Sequence, residues 1–301
     1  MDKEHLKRMW TGPETGEPKP IIYLSGEPIM LRKSALARFP DILDVLRYYC
    51  LSYFYMANAE AKAETYGKVL PMFTKHKVRC FLDSGAFSYQ MDALKENRPI
   101  TRKTAEGIIE RYVEYIYTTD FRFDFFATFD YERNPDTELW ATKRIEARGL
   151  HPMPVYHLGT SLTALRRLID HGYKLIGLGG LIPYKASRAR PFFDQVFDLT
   201  EKYGVRCHGF GVGGQDVLRY PWFSVDSSAW WNSAAQGIVN QESLDPRQLS
   251  QKVSVSTKRT AIRYDIEDNW VPRVAHNIEF WTKLMYKLSA RQAPKVKRGL
   301  F

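Results

Sequence analysis

The sequence contains little cysteine and no long hydrophobic run. Its three cysteines, Cys50, Cys80 and Cys207, are too scattered for a disulfide framework and lack the close pairs of a structural zinc site. No stretch approaches the roughly 18 apolar residues of a membrane span, and the N-terminus has no apolar signal-peptide core. These absences exclude a disulfide-rich secreted protein and a membrane protein. We expect a soluble, cytoplasmic, unprocessed protein without a metal site or a membrane partner.

The chain also has fewer acidic than basic residues. Lysine and arginine number 44 against 34 aspartates and glutamates, which gives a net charge of +10 and a pI near 9.3. This excess favours polyanionic partners, nucleic acid first among them, although a solvated surface with spare lysines has the same composition. With 301 residues and 44% hydrophobic content, the chain is long enough to bury one large core.

Short β-branched or aromatic runs alternate along the chain with longer amphipathic stretches. This alternation is typical of repeated βα units, and eight of them predict a (β/α)8 barrel, with an open doubly wound sheet as the alternative. The predicted strands are Ile21–Leu24, Leu51–Met56, Val78–Asp83, Phe123–Asp130, Met153–His157, Leu175–Leu178, Arg206–Phe210 and Phe223–Asp226, and the clearest helices are Thr104–Thr118, Thr137–Arg148, Ser161–His171 and Arg190–Tyr203.

The composition changes after Gly237, where glutamine, serine, lysine and arginine become frequent. We expect a catalytic barrel domain over residues 1–240 and a C-terminal helical extension over 241–301 that packs on the barrel. The extension contains an aromatic helix from about Val271 to Leu288 and ends in the basic tail Lys295-Val-Lys-Arg298.

Three aspartates stand at the ends of predicted strands. Asp83, Asp130 and Asp226 each close an apolar run, and in a βα barrel the active site lies at the C-terminal ends of the strands. Each could instead cap the following helix, but three like charges at one rim repel one another and indicate a functional site. Two carboxylates about 5 Å apart suit a retaining displacement at an anomeric carbon, in which one attacks and the other moves a proton. Strand ends alone do not assign these two roles.

Glycine clusters follow two later strands. Gly177-Leu-Gly-Gly180 and Gly209-Phe-Gly-Val-Gly-Gly214 could offer backbone N–H groups to a flat or anionic ligand, or could only allow tight packing at the rim. The second cluster has the spacing G-x-G-x-x-G but lacks the context of a dinucleotide site. His157 ends a strand where it could hydrogen-bond a heterocycle or simply pack, whereas we expect His208 to be structural.

Five motifs, in chain order, resemble those of the tRNA-guanine transglycosylases and their DNA-modifying relatives, the DNA 7-deazaguanine transglycosylases. Asp83-Ser-Gly-Ala-Phe-Ser resembles the family's Asp-Ser-Gly-Gly-Phe-Gln, and Phe129-Asp130 resembles its Phe-Asp-Glu. Gly179-Gly180-Leu181 resembles Gly-Gly-Leu, and Gly211-Val-Gly-Gly-Gln-Asp-Val-Leu218 resembles Gly-Val-Gly-Thr-Pro-Glu-Asp-Leu. Phe223-Ser-Val-Asp226 stands where the family has Phe-Asp-Cys with its nucleophile.

The resemblance implies a base exchange in which guanine leaves C1′ of a nucleoside and a 7-deazaguanine, such as a preQ0-type or preQ1-type precursor, takes its place. Asp226 would be the nucleophile and Asp83 the acid/base, with no cofactor. Asp130 would bind the N1 and amino edge of guanine, and His157 stands where the family has glutamine. The other implied base-binding residues are Ser84, Gly85, Phe87, Gly179 and Gly180.

Two departures from the family favour DNA over tRNA. The tRNA enzymes carry a zinc site of three clustered cysteines and a histidine, whereas this chain has no cysteine after Cys207. The family's Phe-Asp-Cys-x-x-Pro-Thr-Arg is here Ser-Val-Asp226-Ser-Ser-Ala-Trp, shifted and without the arginine. Both departures resemble the compact DNA-acting relatives, many encoded by bacteriophages, which would place the protein in a host cytoplasm. A queuine-type tRNA enzyme, a non-catalytic nucleic-acid-binding barrel and a glycosidase are the alternatives.

Basic residues could hold the phosphate backbone while a base is flipped out for attack at C1′. A solvated helix face is the alternative for Arg144 and Arg148. The predicted phosphate-binding residues are Arg144, Arg148, Arg188, Arg190, Arg219, Lys295, Lys297 and Arg298.

Overall fold

A parallel β-sheet organises the chain, for which a computed structural model describes residues 19–26, 41–58, 60–181, 186–243, 250–254 and 270–292. Seven strands pair in the order β3-β2-β1-β7-β6-β5-β4. They are β1 (Ile21–Ser25), β2 (Tyr48–Ser52), β3 (Arg79–Asp83), β4 (Val155–His157), β5 (Leu175–Gly179), β6 (Arg206–Gly209) and β7 (Ser224–Ser227). Nearly all of their residues are buried, as expected for parallel strands covered on both faces. The predicted α/β class is confirmed.

Residues 123–130 differ from the predicted strand. They form no regular strand but make one parallel bridge to β3, between Leu82 and Phe126, and another to Met153, just before β4. Leu82 N donates to Phe125 O at 3.0 Å. Asp124 N and Ala127 N also donate to β3, to Cys80 O at 2.6 Å and to Leu82 O at 2.9 Å. The segment therefore lies between the two edge strands of the sheet.

The strand predicted over 51–56 is wrong in its last four residues. The strand is Tyr48–Ser52, and the aromatic run after it forms a helix, Tyr53–Asn58. Tyr53 and Met56 are buried three residues apart, which is the spacing of one helical face. The start of β4 at Val155, later than predicted, has a physical cause, since Pro154 has no N–H to donate to β5.

Helices connect most strands and confirm the helical predictions. They are α1 (Ile42–Val45), α2 (Tyr53–Asn58), α3 (Glu60–Lys75), α4 (Ala86–Lys95), α5 (Arg102–Thr118), α6 (Pro135–Glu146), α7 (Leu162–Asp170), α8 (Ala186–Lys202), α9 (Asp216–Arg219), α10 (Ala229–Ala235) and α11 (Trp270–Gln292). Side chains cap three of them, since Thr101, Asn134 and Ser161 accept hydrogen bonds from first-turn N–H groups of α5, α6 and α7. None of the helices in these ranges is long and apolar enough to cross a membrane.

Past β7 the chain forms an antiparallel pair, β8 (Ile238–Gln241) and β9 (Gln251–Ser254), and then α11. Buried polar side chains join α11 to the rest of the protein. Asn277 donates to Trp230 O at 2.9 Å and accepts from Asn240 N at 2.7 Å, and Arg273 donates to Ala234 O at 2.9 Å. The helix predicted near Val271 is present, while the division of the chain at residue 240 stays a prediction.

Candidate active site

The carboxyl ends of the parallel strands surround a cavity of about 370 Å³. The carboxyl ends of parallel strands lie at the same edge of the sheet, so the residues that follow the strands meet there. This volume suits one small ligand. The predicted site residues that line the cavity are Asp83, Phe87, Asp130, His157, Gly179, Gly180 and Asp226.

Asp226 is held in one orientation at the end of β7. Its side chain is nearly buried, and Oδ1 accepts a hydrogen bond from Gly211 N at 2.9 Å. Nε2 of His208 lies 3.7 Å from the same oxygen, too far for a hydrogen bond, and Nδ1 of His208 lies 2.8 Å from Oγ of Ser224. Within the described residues, Oδ2 of Asp226 has no hydrogen-bond donor and is the oxygen left for a ligand.

Asp83 occupies a different electrostatic environment at the end of β3. Burial, together with the negative charges of Asp130 and Asp226, raises its pKa to about 7. The N–H of Gly85 donates to Oδ2 at 3.1 Å and opposes this rise. A carboxyl group with such a pKa can both donate and accept a proton near neutral pH.

Asp130 does not stand alone in the cavity. Its Oδ2 lies 3.1 Å from Nε2 of His157, and Nδ1 of the same imidazole is hydrogen-bonded to Glu138. Burial lowers the pKa of His157, but hydrogen bonds to Asp130 and Glu138 outweigh it and raise the pKa to about 10. Burial raises the pKa of Glu138 to about 7. The imidazole therefore faces two carboxyl groups, and both of its nitrogens are occupied.

Gly179 and Gly180 pack directly against His157. A Cβ on Gly179 would lie 3.0 Å from Nε2 of His157, and one on Gly180 would lie 3.2 Å from its Cδ2. Gly180 also has φ near +71°. Packing thus accounts for these glycines, and their backbone still lines the cavity.

Ser84 and Gly85 shape the turn after β3 and do not line the cavity. Ser84 is fully buried, and Gly85 has φ near +75°. A Cβ on Gly85 would lie 2.5 Å from Cβ of Phe54. Both residues therefore shape the turn between β3 and α4, whereas Phe87, which is 55% exposed, lines the cavity.

The predicted phosphate-binding arginines are mostly engaged elsewhere. Arg144 and Arg148 form ion pairs with Glu110. The two arginines follow Glu138 in the chain by roughly two and three helical turns and so lie away from the cavity. Arg190 binds Asp216 at 2.9 Å, and Arg219 lies over the ring of Tyr220. The side chain of Arg188 and all of Lys295, Lys297 and Arg298 lie outside the described residues.

Sequence reasoning missed several cavity residues. Arg133 lines the cavity, is exposed, and has no ion-pair partner within the described ranges. Its position in the loop after Asp130 was a usable signal. Ser52 lines the wall at the end of β2, where it pairs with Asp83 of β3.

Aromatic rings form part of the cavity floor and wall. Phe210 lines the cavity, and its ring centroid lies 4.8 Å from that of His208, which in turn lies 4.7 Å from Phe81. His208 is fully buried, and burial lowers its pKa, so the imidazole is neutral. The cavity is thus polar at its strand ends and apolar beneath, an arrangement that suits a flat heterocycle.

No protein-family model matches the chain, and no curated protein matches it. Among the residues that the structure describes, no cluster of three or more histidine, cysteine, aspartate and glutamate side chains is arranged to hold a metal ion.

Proposed function

We propose that the protein is a DNA-guanine transglycosylase that exchanges guanine in DNA for a 7-deazaguanine base through a covalent aspartyl-glycosyl intermediate. The scaffold would be a (β/α)8 barrel, in which residues 123–130 supply the eighth strand, between β3 and β4. The bridges at Phe126 and Ala127 to both neighbours support this closure.

One observation carries the proposal: two carboxyl groups in different environments face the same cavity. Asp226 is oriented by Gly211 N–H with Oδ2 left open, and Asp83 has a pKa raised to about 7 by burial and two nearby carboxylates. Double displacement at an anomeric carbon needs one carboxylate that attacks and one carboxyl that moves a proton. The environments favour Asp226 for attack and Asp83 for proton transfer, in agreement with the resemblance.

In the first step, Oδ2 of Asp226 attacks C1′ of a flipped-out deoxyguanosine. The C1′–N9 bond breaks, its electron pair leaves with guanine, and the protonated Asp83 donates a proton to the departing base. The products are neutral guanine, an ester between Asp226 and C1′, and an ionised Asp83.

In the second step, the 7-deazaguanine base replaces guanine in the cavity. Asp83 removes the proton from N9 of the incoming base, N9 attacks C1′, and the ester bond to Asp226 breaks. Both aspartates return to their starting states. No net proton, water molecule or redox partner is required.

The walls offer groups for the edges of guanine. Oδ1 of Asp130 would accept from N1–H and the exocyclic amine, and the backbone of Gly179 and Gly180, which lines the cavity, would meet O6 as the resemblance implies. Phe87 at the mouth could stack on a base, and Arg133 could meet a phosphate.

The choice of DNA depends on the sequence departures and not on the cavity. The described ranges show no cluster suited to the zinc site of the tRNA enzymes, and no cysteine follows Cys207.

The proposed function is tested by incubating the protein with labelled 7-deazaguanine bases and either duplex DNA, single-stranded DNA or tRNA. Label in DNA is expected; label only in tRNA would establish the tRNA-directed alternative, and binding without incorporation would indicate a non-catalytic module.

A further inference from the structure

Glu138 is a buried carboxyl group that the two steps above do not use. It lies in the first turn of α6 and is only 5% exposed. Asn134 caps this helix, and Glu138 N donates to Asn134 O at 3.0 Å, so the helix start fixes where the carboxyl group points. It points to Nδ1 of His157, to which it is hydrogen-bonded.

His157 binds two carboxyl groups at once, since its Nε2 lies 3.1 Å from Oδ2 of Asp130. A neutral imidazole has a single N–H donor, so two carboxylate acceptors favour the doubly protonated imidazolium. The charged groups beside the ring are Asp130 and Glu138, and Arg133 lines the same cavity as the ring. Gly179, at the end of β5, and Gly180 approach the ring with their backbone. On α7, Arg167 lines a second small cavity together with Glu138 and pairs with Asp136 at 2.7 Å.

The imidazole also has little freedom to turn. The backbone of Gly179 is so close that even an added methyl group would lie 3.0 Å from Nε2 and Cδ2 of His157. Because the ring is confined and hydrogen-bonded on both sides, the position of Glu138 affects the position of Asp130 through His157. The consequence is that Oδ2 of Asp130 is occupied and Oδ1 alone is left for the cavity.

We propose that Glu138 is a positioning residue for base recognition: it holds His157 so that the imidazolium binds Oδ2 of Asp130 and presents Oδ1 to the donor edge of a purine. The identity of the ligand rests on the proposed function. The arrangement of Glu138, His157 and Asp130 does not, and it can be tested without catalysis.

The first test reads the protonation of His157 by NMR of protein labelled with ¹⁵N-histidine. The chain has seven histidines, so the signal is assigned by its loss in a His157→Gln variant. In the wild-type protein, the imidazolium form should persist through pH 8, and in Glu138→Gln the pKa of His157 should fall by about one unit or more. Glu106→Gln, which removes a half-exposed carboxylate on α5, should leave the titration unchanged.

Either of two NMR results would overturn the arrangement: a wild-type His157 that is neutral at pH 8, or a Glu138→Gln variant that titrates as the wild type does. The wild-type measurement decides the question even if Glu138→Gln fails to fold.

The second test measures binding of guanine and of hypoxanthine, which lacks the exocyclic amine, by calorimetry. Glu138→Gln should weaken guanine binding about tenfold or more, because the misplaced Oδ1 no longer meets N1–H and the exocyclic amine, and it should weaken hypoxanthine, which offers N1–H alone, less. Glu106→Gln should bind both bases as the wild type does. Unchanged guanine affinity in Glu138→Gln would overturn the positioning role. If the wild type binds neither base, the proposed function fails while the NMR result still stands.

Discussion

At the scale of the residue, Asp83 and Asp226 have the same functional group in different surroundings. Asp83 is desolvated near two other carboxylates, and its pKa is raised to about 7. Asp226 has one oxygen held by a backbone N–H and the other free. Neither difference is visible in the sequence, where both residues simply end apolar strands.

The pKa of Asp83 predicts the pH dependence of the first step. The group must be protonated to assist the leaving base, so the single-turnover rate of adduct formation should be flat below about pH 6 and fall above about pH 7. Asp83→Asn should lower the rate by roughly 10²–10⁴ and abolish this dependence. Rapid-quench measurement of covalent adduct across pH checks both, and a wild-type rate that rises above pH 7 would contradict the assignment.

The same shift predicts the effect of Asp83 on stability. The folded-state pKa of Asp83 lies above the ordinary value of 3.8 for an aspartate, so its stabilising contribution is complete below about pH 4 and is lost as pH rises through about 7. Asp83→Asn should therefore be more stable than the wild type at pH 8, on the order of 1 kcal/mol or more, since one pKa unit corresponds to about 1.4 kcal/mol. Urea unfolding should show this difference shrinking toward pH 4; a constant difference would argue against the shift.

Phe87 and Leu94 provide a matched pair on α4. Both side chains are exposed, at 55% and 72%, but only Phe87 lines the cavity. Stacking on a nucleobase is worth about 1–3 kcal/mol, so Phe87→Ala should weaken single-stranded DNA binding about fivefold or more. Leu94→Ala should leave it unchanged, as measured by fluorescence anisotropy. Equal losses for both variants would indicate a general apolar surface instead of a stacking position.

Several cavity residues could be predicted because each stands at the end of an apolar run that pairs with the sheet. Asp83, Asp130, His157 and Asp226 needed only the rule that barrel chemistry lies at strand ends. Glu138 could not be found this way, because it lies on a helix and reaches the site only through the cap that starts α6. Its position in the sequence relative to Asp130 does not distinguish Glu138 from other polar residues of a helix.

At the scale of the element, the parallel strands could be predicted because they are apolar on both faces. The errors arose where the same residue types served another element. The aromatic run Tyr53–Met56 suits a strand or a buried helix face, and periodicity over so short a run does not separate the two. The ion pairs of Arg144 and Arg148 with Glu110 depend on how α5 packs against α6, which is a tertiary fact.

Two glycines test how the elements hold the site. Gly85 has φ near +75°, and a Cβ there would lie 2.5 Å from Phe54, so Gly85→Ala should cost about 2 kcal/mol or more. Gly67, in α3, has no atom within 4 Å of an added Cβ. Gly67→Ala should therefore stabilise the protein by about 0.5–1 kcal/mol. Thermal unfolding of both variants checks the pair, and a tolerated Gly85→Ala would argue against this turn geometry.

At the scale of the whole molecule, the strand ends bring distant parts of the chain to one cavity. Residues from Ser25 to Ser228 line it, and the bridges of residues 126 and 127 connect the two edges of the sheet. The net charge of +10 is consistent with a polyanionic partner. However, the arginines that form ion pairs within the described residues are less able to bind phosphate groups of such a partner. Among the described residues, Arg133 is the arginine that lines the cavity. Composition alone could not distinguish it from the other arginines.

Trapping of a covalent adduct tests the proposed chemistry most directly. Wild-type protein, Asp226→Asn and the control Asp198→Asn, which alters an exposed residue of α8 paired with Lys202, would each be incubated with guanine-containing DNA and analysed on denaturing gels and by peptide mass spectrometry. The wild type and Asp198→Asn should form a DNA adduct that maps to Asp226, and Asp226→Asn should form none. An adduct of undiminished yield in Asp226→Asn, or base exchange by the wild type without any adduct, would contradict the mechanism.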